Sequence, residues 1–183
     1  MIVKIKNTRL AFPALFEAKT VNGEGDPRFS ATFILPPGHP QVAEINAAIE
    51  AVAKDKWKDK APAILKQLRA QDKVALHDGD TKSQYDGFAG NLYLAASNKV
   101  RPVVLDRDAT PLIAADGRPY AGCYVVGSVE IWAQDNGYGK RINATLRGVQ
   151  FFADGDAFGA GAPPASPDEF DDLTVGADAE TLA

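Results

Sequence analysis

The sequence predicts a mainly β fold with one helical insertion, and three observations carry that prediction. Several segments alternate apolar and polar residues with period two. One stretch between them, about residues 40–70, changes to helical spacing. The last two alternating runs are joined by a glycine-rich turn.

The first alternating run covers residues 2–9, where Val3 and Ile5 oppose Lys4, Lys6 and Thr8. The second covers 28–35, with Phe29, Ala31, Phe33 and Leu35 opposing Arg28, Ser30 and Thr32. Pro36-Pro37-Gly38 then stops the strand. Val42, Ile45, Ile49 and Val52 recur at the spacing of a buried helix face, in a segment that runs on to Lys60. Pro62 suits the first turn of a second helix carrying Ile64, Leu65 and Leu68. In Lys54–Lys60 the basic residues are diluted by two acids, so this reads as a solvated helix end with Trp57 turned inward.

The third run, residues 90–97, sets Leu92, Leu94 and Ala96 against Asn91, Tyr93 and Ser97. Residues 98–121 carry Pro, Asp and Gly at short intervals and read as a long loop with short strands. The final hairpin opposes Val125, Val129, Ile131 and Ala133 to Ile142, Ala144 and Leu146 across Asp135-Asn136-Gly137-Tyr138-Gly139. Five strands with a helical insertion and long loops fit an OB-like five-stranded barrel. A β-sandwich remains open, because strand order is not written in one sequence.

Composition bounds the function. The 183 residues suffice for one domain with about thirty to spare, and no run approaches the ~20 apolar residues of a membrane helix. The N-terminus interleaves charge with β-branched residues and lacks the apolar core of a secretion signal. The lone Cys123 has no internal disulfide partner, which fits a reducing, cytoplasmic setting. Net charge is −4, but unevenly spread: residues 1–153 hold 16 acids and 20 bases, whereas residues 154–183 hold eight acids and no base. Domain organisation follows: a weakly basic body at 1–153 and an acidic arm at 154–183, rich in Ala, Gly and Pro and expected to be disordered.

Chemistry-bearing constellations are sparse. His39 sits in a Pro-Gly-His-Pro turn and reads as solvated. His77-Asp78-Gly79-Asp80 has metal-compatible ligand types but no second histidine at ligand spacing. Gly137-Tyr138-Gly139-Lys140-Arg141 lacks the spacing with which backbone amides wrap a phosphate. Cys123 adjoins a strand without a histidine in sequence nearby and reads as a buried thiol. No catalytic residues and no cofactor are expected.

The outward strand positions are more informative. Lys4, Lys6 and Arg28 offer cations. Pairing Ile131 with Ala144 sets Trp132 opposite Asn143 and Ser128 opposite Arg147, with Tyr124 and Arg141 on the same side. Tyr93 adds a ring on the third strand, Tyr85 and Phe88 precede it, and Lys99 and Arg101 follow it. Cations and hydroxyls hold phosphates, and flat rings stack on bases, so the seven cations and five rings among these residues are the candidate single-stranded DNA site. A one-residue slip of any strand would reverse its face.

At this point the sequence resembles the single-stranded DNA-binding proteins of tailed bacteriophages. The resemblance rests on Ile5–Pro13, Arg28–Pro36, Tyr85–Asn91 and the Gly122–Gln150 hairpin. It implies an OB fold with a basic, aromatic groove, an acidic C-terminal tail, and work in replication, recombination or repair of phage DNA. Many such tails end in an aromatic residue. Here the last residues are Glu180-Thr181-Leu182-Ala183, and the expected substitute is Phe170 within Asp168-Glu169-Phe170-Asp171-Asp172-Leu173, the candidate partner-binding segment. Two other readings stay open: a metal-dependent nucleic-acid enzyme using His77, Asp78 and Asp80, and a β-sandwich virion or interaction protein.

Overall fold

A computed structural model of the chain describes residues 1–21, 23–159 and 165–174. Seven strands and two helices organise the body: β1 (Ile2–Val21), β2 (Glu24–Leu35), α1 (Pro40–Trp57), α2 (Ala61–Ala70), β3 (Leu76–Asp78), β4 (Leu92–Asn98), β5 (Val103–Leu105), β6 (Tyr124–Asn136) and β7 (Gly139–Ala153). The sheet order is β3-β4-β2-β1-β6-β7-β5, and a parallel contact of Ser97 with Thr145 joins β4 to β7. That contact closes β1, β2, β4, β7 and β6 into a five-stranded barrel, which settles the choice against a sandwich.

The inward strand residues form the core. Val3, Ile5, Leu10, Phe33, Leu35, Leu94, Val125, Val129, Ile131, Ile142 and Leu146 are all buried. Packing is close: a Cβ added at Gly127 would stand 2.5 Å from the Phe33 ring, so the ring needs a glycine there. Helix α1 packs on β6 and β1 and buries Ile45, Ala48, Ile49, Ala53 and Trp57. Trp57 is turned inward as its spacing implied, and its indole N–H donates to the Asp135 carboxylate at 2.9 Å. Helix α2 buries Leu65 and Leu68, with Pro62 in its first turn.

Three of the register shifts change a face or a pairing that strict alternation assigns. Between Ile5 and Thr8, β1 advances three residues while β6 advances two, with Asn7 at a φ of 52°. Thr8, read as outward, is therefore buried, and its hydroxyl donates to the Ile34 carbonyl at 2.5 Å. A second bulge follows Ala11. A third, in β7, pairs Ser128 with Gly148 in place of Arg147, although Ile131–Ala144 and Trp132–Asn143 pair as expected. His39 is not a free turn residue. It caps α1, accepting from the Gln41 amide through Nδ1 and meeting the Lys6 carbonyl through Nε2 at 2.9 Å.

The chain stays against the body past residue 153. Tyr120 donates to Asp154, Arg9 donates to the Asp156 carbonyl, and Phe158 packs beside Ala11, Ile34, Phe88 and Tyr93. The packed chain thus continues to Gly159, because Phe158 supplies an apolar anchor. Of the expected disordered arm, residues 160–164 and 175–183 lie outside the described residues.

Candidate nucleic-acid interface

A groove of about 360 Å³ crosses the outer face of the barrel where β4 meets β7. Outward positions build it. Arg28 enters from β2, Ser97 from β4, Trp132 and Gln134 from β6, and Arg141, Asn143 and Thr145 from β7. Period-two alternation delivers the β4, β6 and β7 members, since Ala96, Ala133, Ile142 and Ala144 between them pack in the core. His77 of β3 closes one wall. No carboxylate lines the groove among the described residues, so Arg28 and Arg141 give it a positive character.

Trp132 is 40% exposed, and its indole N–H donates to the Thr145 hydroxyl at 2.9 Å. The bond fixes the ring's edge in a pocket of amides and hydroxyls. Beneath the hairpin, the Trp57 indole bond and nearby Lys140 hold the Asp135 carboxyl below the usual carboxylate range. Tyr138 stands almost fully exposed at the tip between β6 and β7.

The other sequence candidates fall into separate places. Lys4 and Arg147 lie along a shallower depression with Ser128 and Gln150, on the outside of β1, β6 and β7. Lys6 is exposed beside the start of α1. Lys99 is paired with Asp26 at 3.1 Å, and Arg101 lies over the Phe16 ring. Tyr124 is half-buried, with the Arg9 guanidinium 5.7 Å from its ring. Tyr85 is exposed.

Two expected stacking rings are buried. Tyr93 does project from the outer face of β4, but it is only 4% exposed, and Phe88 only 1%. The segment Tyr85–Gly90 and Phe158 fold over that face and make a second small core with Ala11 and Ile34. Neither ring lines the groove, and neither is a free platform. Tyr93 supports the groove indirectly, since the His77 ring stacks on it at 4.8 Å and 21°.

The metal reading does not survive this geometry. His77 bonds Asp72 at 2.6 Å, Asp78 caps a 3₁₀ turn through the Asp80 amide, and Asp80 accepts from the Gly90 amide. Among the described residues no group of three His, Cys, Asp or Glu side chains is placed to hold a metal ion. Burial pushes the Cys123 thiol up to about 11, which keeps it protonated at neutral pH.

Sequence reasoning missed Gln134 and Thr145 of the groove and read His77 only as a candidate metal ligand. Gln134 was legible by extending the Trp132 alternation by two. Placing His77 on the groove wall needed the β3–β4 pairing.

The chain matches known proteins along its length. The family described as "Enterobacter phage Enc34, ssDNA-binding protein" matches residues 1–181. The chain is 49% identical over 186 residues to "Putative protein p50" of Acyrthosiphon pisum secondary endosymbiont phage 1, covering all of both chains. It is also similar to the single-stranded DNA-binding protein of bacteriophage Enc34 solved in complex with ssDNA. That match has 27% identity and a TM-score of 0.72, and covers 86% of this chain and 89% of that one. The C-terminal truncation of the same Enc34 protein gives 27% identity and a TM-score of 0.71, over 86% and 88% of the two chains.

Proposed function

The chain belongs to the family of the Enterobacter phage Enc34 single-stranded DNA-binding protein, and from that premise we propose that it binds single-stranded DNA without sequence preference in phage replication, recombination or repair. The groove is the observation that supports this reading most directly. Arg28 and Arg141 attract the phosphates, the Trp132 face takes a base, and Ser97, Asn143 and Thr145 offer hydrogen bonds. Stacking tolerates any base, because every base has a π face. Lys99 and Arg101 follow the groove residue Ser97 in the chain, and Lys4 and Arg147 extend the cationic surface over β1 and β7. The host cytoplasm, where phage DNA is copied, is the setting this function requires; no helix among the described residues is long and apolar enough to cross a membrane.

The acidic arm completes the proposal. Asp168, Glu169, Asp171 and Asp172 surround Phe170 and Leu173, both exposed. Tethered to the body, this anionic segment competes with DNA for the cations and is released to replication or recombination partners when DNA binds. Fluorescence anisotropy of labelled dT oligonucleotides and of a duplex, each at two salt concentrations, tests the function. Tighter binding to dT that weakens steeply with salt is expected. Equal affinity for the duplex, or no dependence on salt, would contradict it.

A further inference from the structure

A row of rings leads out of the groove across the outer face of the barrel. His77 on the groove wall stacks on Tyr93, Tyr93 meets Phe88 at 5.1 Å, and Phe88 lies 5.8 Å from Phe12. Phe12 in turn meets Tyr85 edge to face, at 5.0 Å and 87°. The inner rings are buried, but Phe12 is 52% exposed and Tyr85 44%. Beside this outer pair opens a pocket of about 400 Å³ walled by Phe12, Tyr85, Phe88, Ala121 and Phe158.

Two further facts distinguish Phe12 from an ordinary surface ring. It follows Ala11 at the second bulge with a φ of 46°, a backbone region that a bulky side chain rarely adopts. Such an outlier points to a use that packing does not supply. A cation also adjoins the pocket: the Arg9 guanidinium lies 4.2 Å from the centre of the Phe158 ring, held there by the Gly122 and Asp156 carbonyls. Among the described residues the one carboxylate on the pocket, Asp86, is engaged by the Gly159 amide at 2.9 Å.

We propose that Phe12 and Tyr85 form a second base-stacking subsite for single-stranded DNA. A nucleobase leaving the groove enters the pocket against these rings, and the neighbouring Arg9 charge favours its phosphate. The subsite rests on the reading of the groove as the primary DNA site, and extends it along the row of rings that begins at His77. An occupant here also abuts Phe158 and Gly159, which precede the acidic segment in the chain.

Length-resolved binding separates the subsite from the groove. Full-length wild type, Phe12→Gly, Phe12→Tyr and Tyr85→Ala are titrated with dT oligonucleotides from about 4 to about 16 nucleotides, the range of a single OB site. Glycine suits the φ of 46°, so Phe12→Gly removes the ring without straining the bulge, and thermal melts verify that each variant is folded. The shortest oligonucleotides should bind all four proteins alike. Longer ones should bind Phe12→Gly and Tyr85→Ala at least about fivefold more weakly, with Phe12→Tyr restored to wild type. Variants that follow wild type at every length, or lose affinity equally at every length, overturn the subsite. Failure of wild type to bind dT at all would instead overturn the function on which it rests.

Discussion

The indole N–H of Trp132 and the hydroxyl of Thr145 meet at 2.9 Å across the β6–β7 ladder, a diagonal contact two residues along β7 from the Asn143 that pairs with Trp132. The ring is thereby held in the groove without being buried by it. Trp132→Ala should therefore weaken dT binding by about 1–3 kcal/mol while changing the melting temperature little. Thr145→Val frees the ring's edge but keeps its face, so a smaller loss is expected. Anisotropy titrations beside thermal melts check both. A lower melting temperature with unchanged affinity would assign Trp132 to packing.

Arg28 and Arg141 differ from Lys6 in position rather than charge. The first two line the groove, whereas Lys6 sits by the start of α1 with its carbonyl against His39. Replacing Arg28 or Arg141 with Ala should lower the slope of log affinity against log salt by about 0.7 each, the value for one phosphate contact on a single strand. Lys6→Ala should leave the slope unchanged. Equal effects at all three positions would mean diffuse attraction instead of a groove.

These contrasts show what the sequence made legible. Alternation identified the barrel strands, and the hairpin register followed from Ile131 facing Ala144, so Trp132, Arg141 and Arg28 were correctly sent outward. Helical spacing bounded the insertion, with Trp57 inward. What failed was non-local. Thr8 and Phe12 depend on bulges, which one strand's pattern does not reveal. Tyr93 lies on the expected face of its strand, but the segment after Tyr85 and the anchor Phe158 cover it. An outward side chain is exposed only where nothing else folds across it, and that is decided by residues far away in sequence.

The Trp57–Asp135 bond makes an acid-sensitive tie between α1 and the β6–β7 hairpin. Asp135 has its folded value below the ordinary 3.8, first because it accepts the indole N–H and then because Lys140 is near. A depressed carboxylate stabilises the fold above the unfolded value, and that contribution fades as pH drops below 3.8 through the lower folded value. Urea midpoints of wild type and Asp135→Asn should differ at pH 7 and converge below pH 3.8. A gap that persists unchanged at low pH would contradict this origin.

The acidic arm predicts a salt-dependent difference. Truncation after Gly159 keeps the Phe158 anchor and removes the segment containing Asp168, Glu169, Asp171 and Asp172. At low salt the shortened chain should bind dT more tightly, and near 0.1 M and above the two should converge as screening shortens to about 10 Å. Identical affinities at low salt would remove competition from the account.

The most direct test of the groove is the emission of Trp132 itself. The chain has two tryptophans, so Trp57→Phe leaves Trp132 as the sole indole. Titrating this variant with a dT oligonucleotide, while anisotropy of a labelled copy reports binding, should give saturable quenching that tracks occupancy. Full binding by anisotropy with unchanged Trp132 emission would contradict the placement of single-stranded DNA in the groove between Arg28 and Arg141.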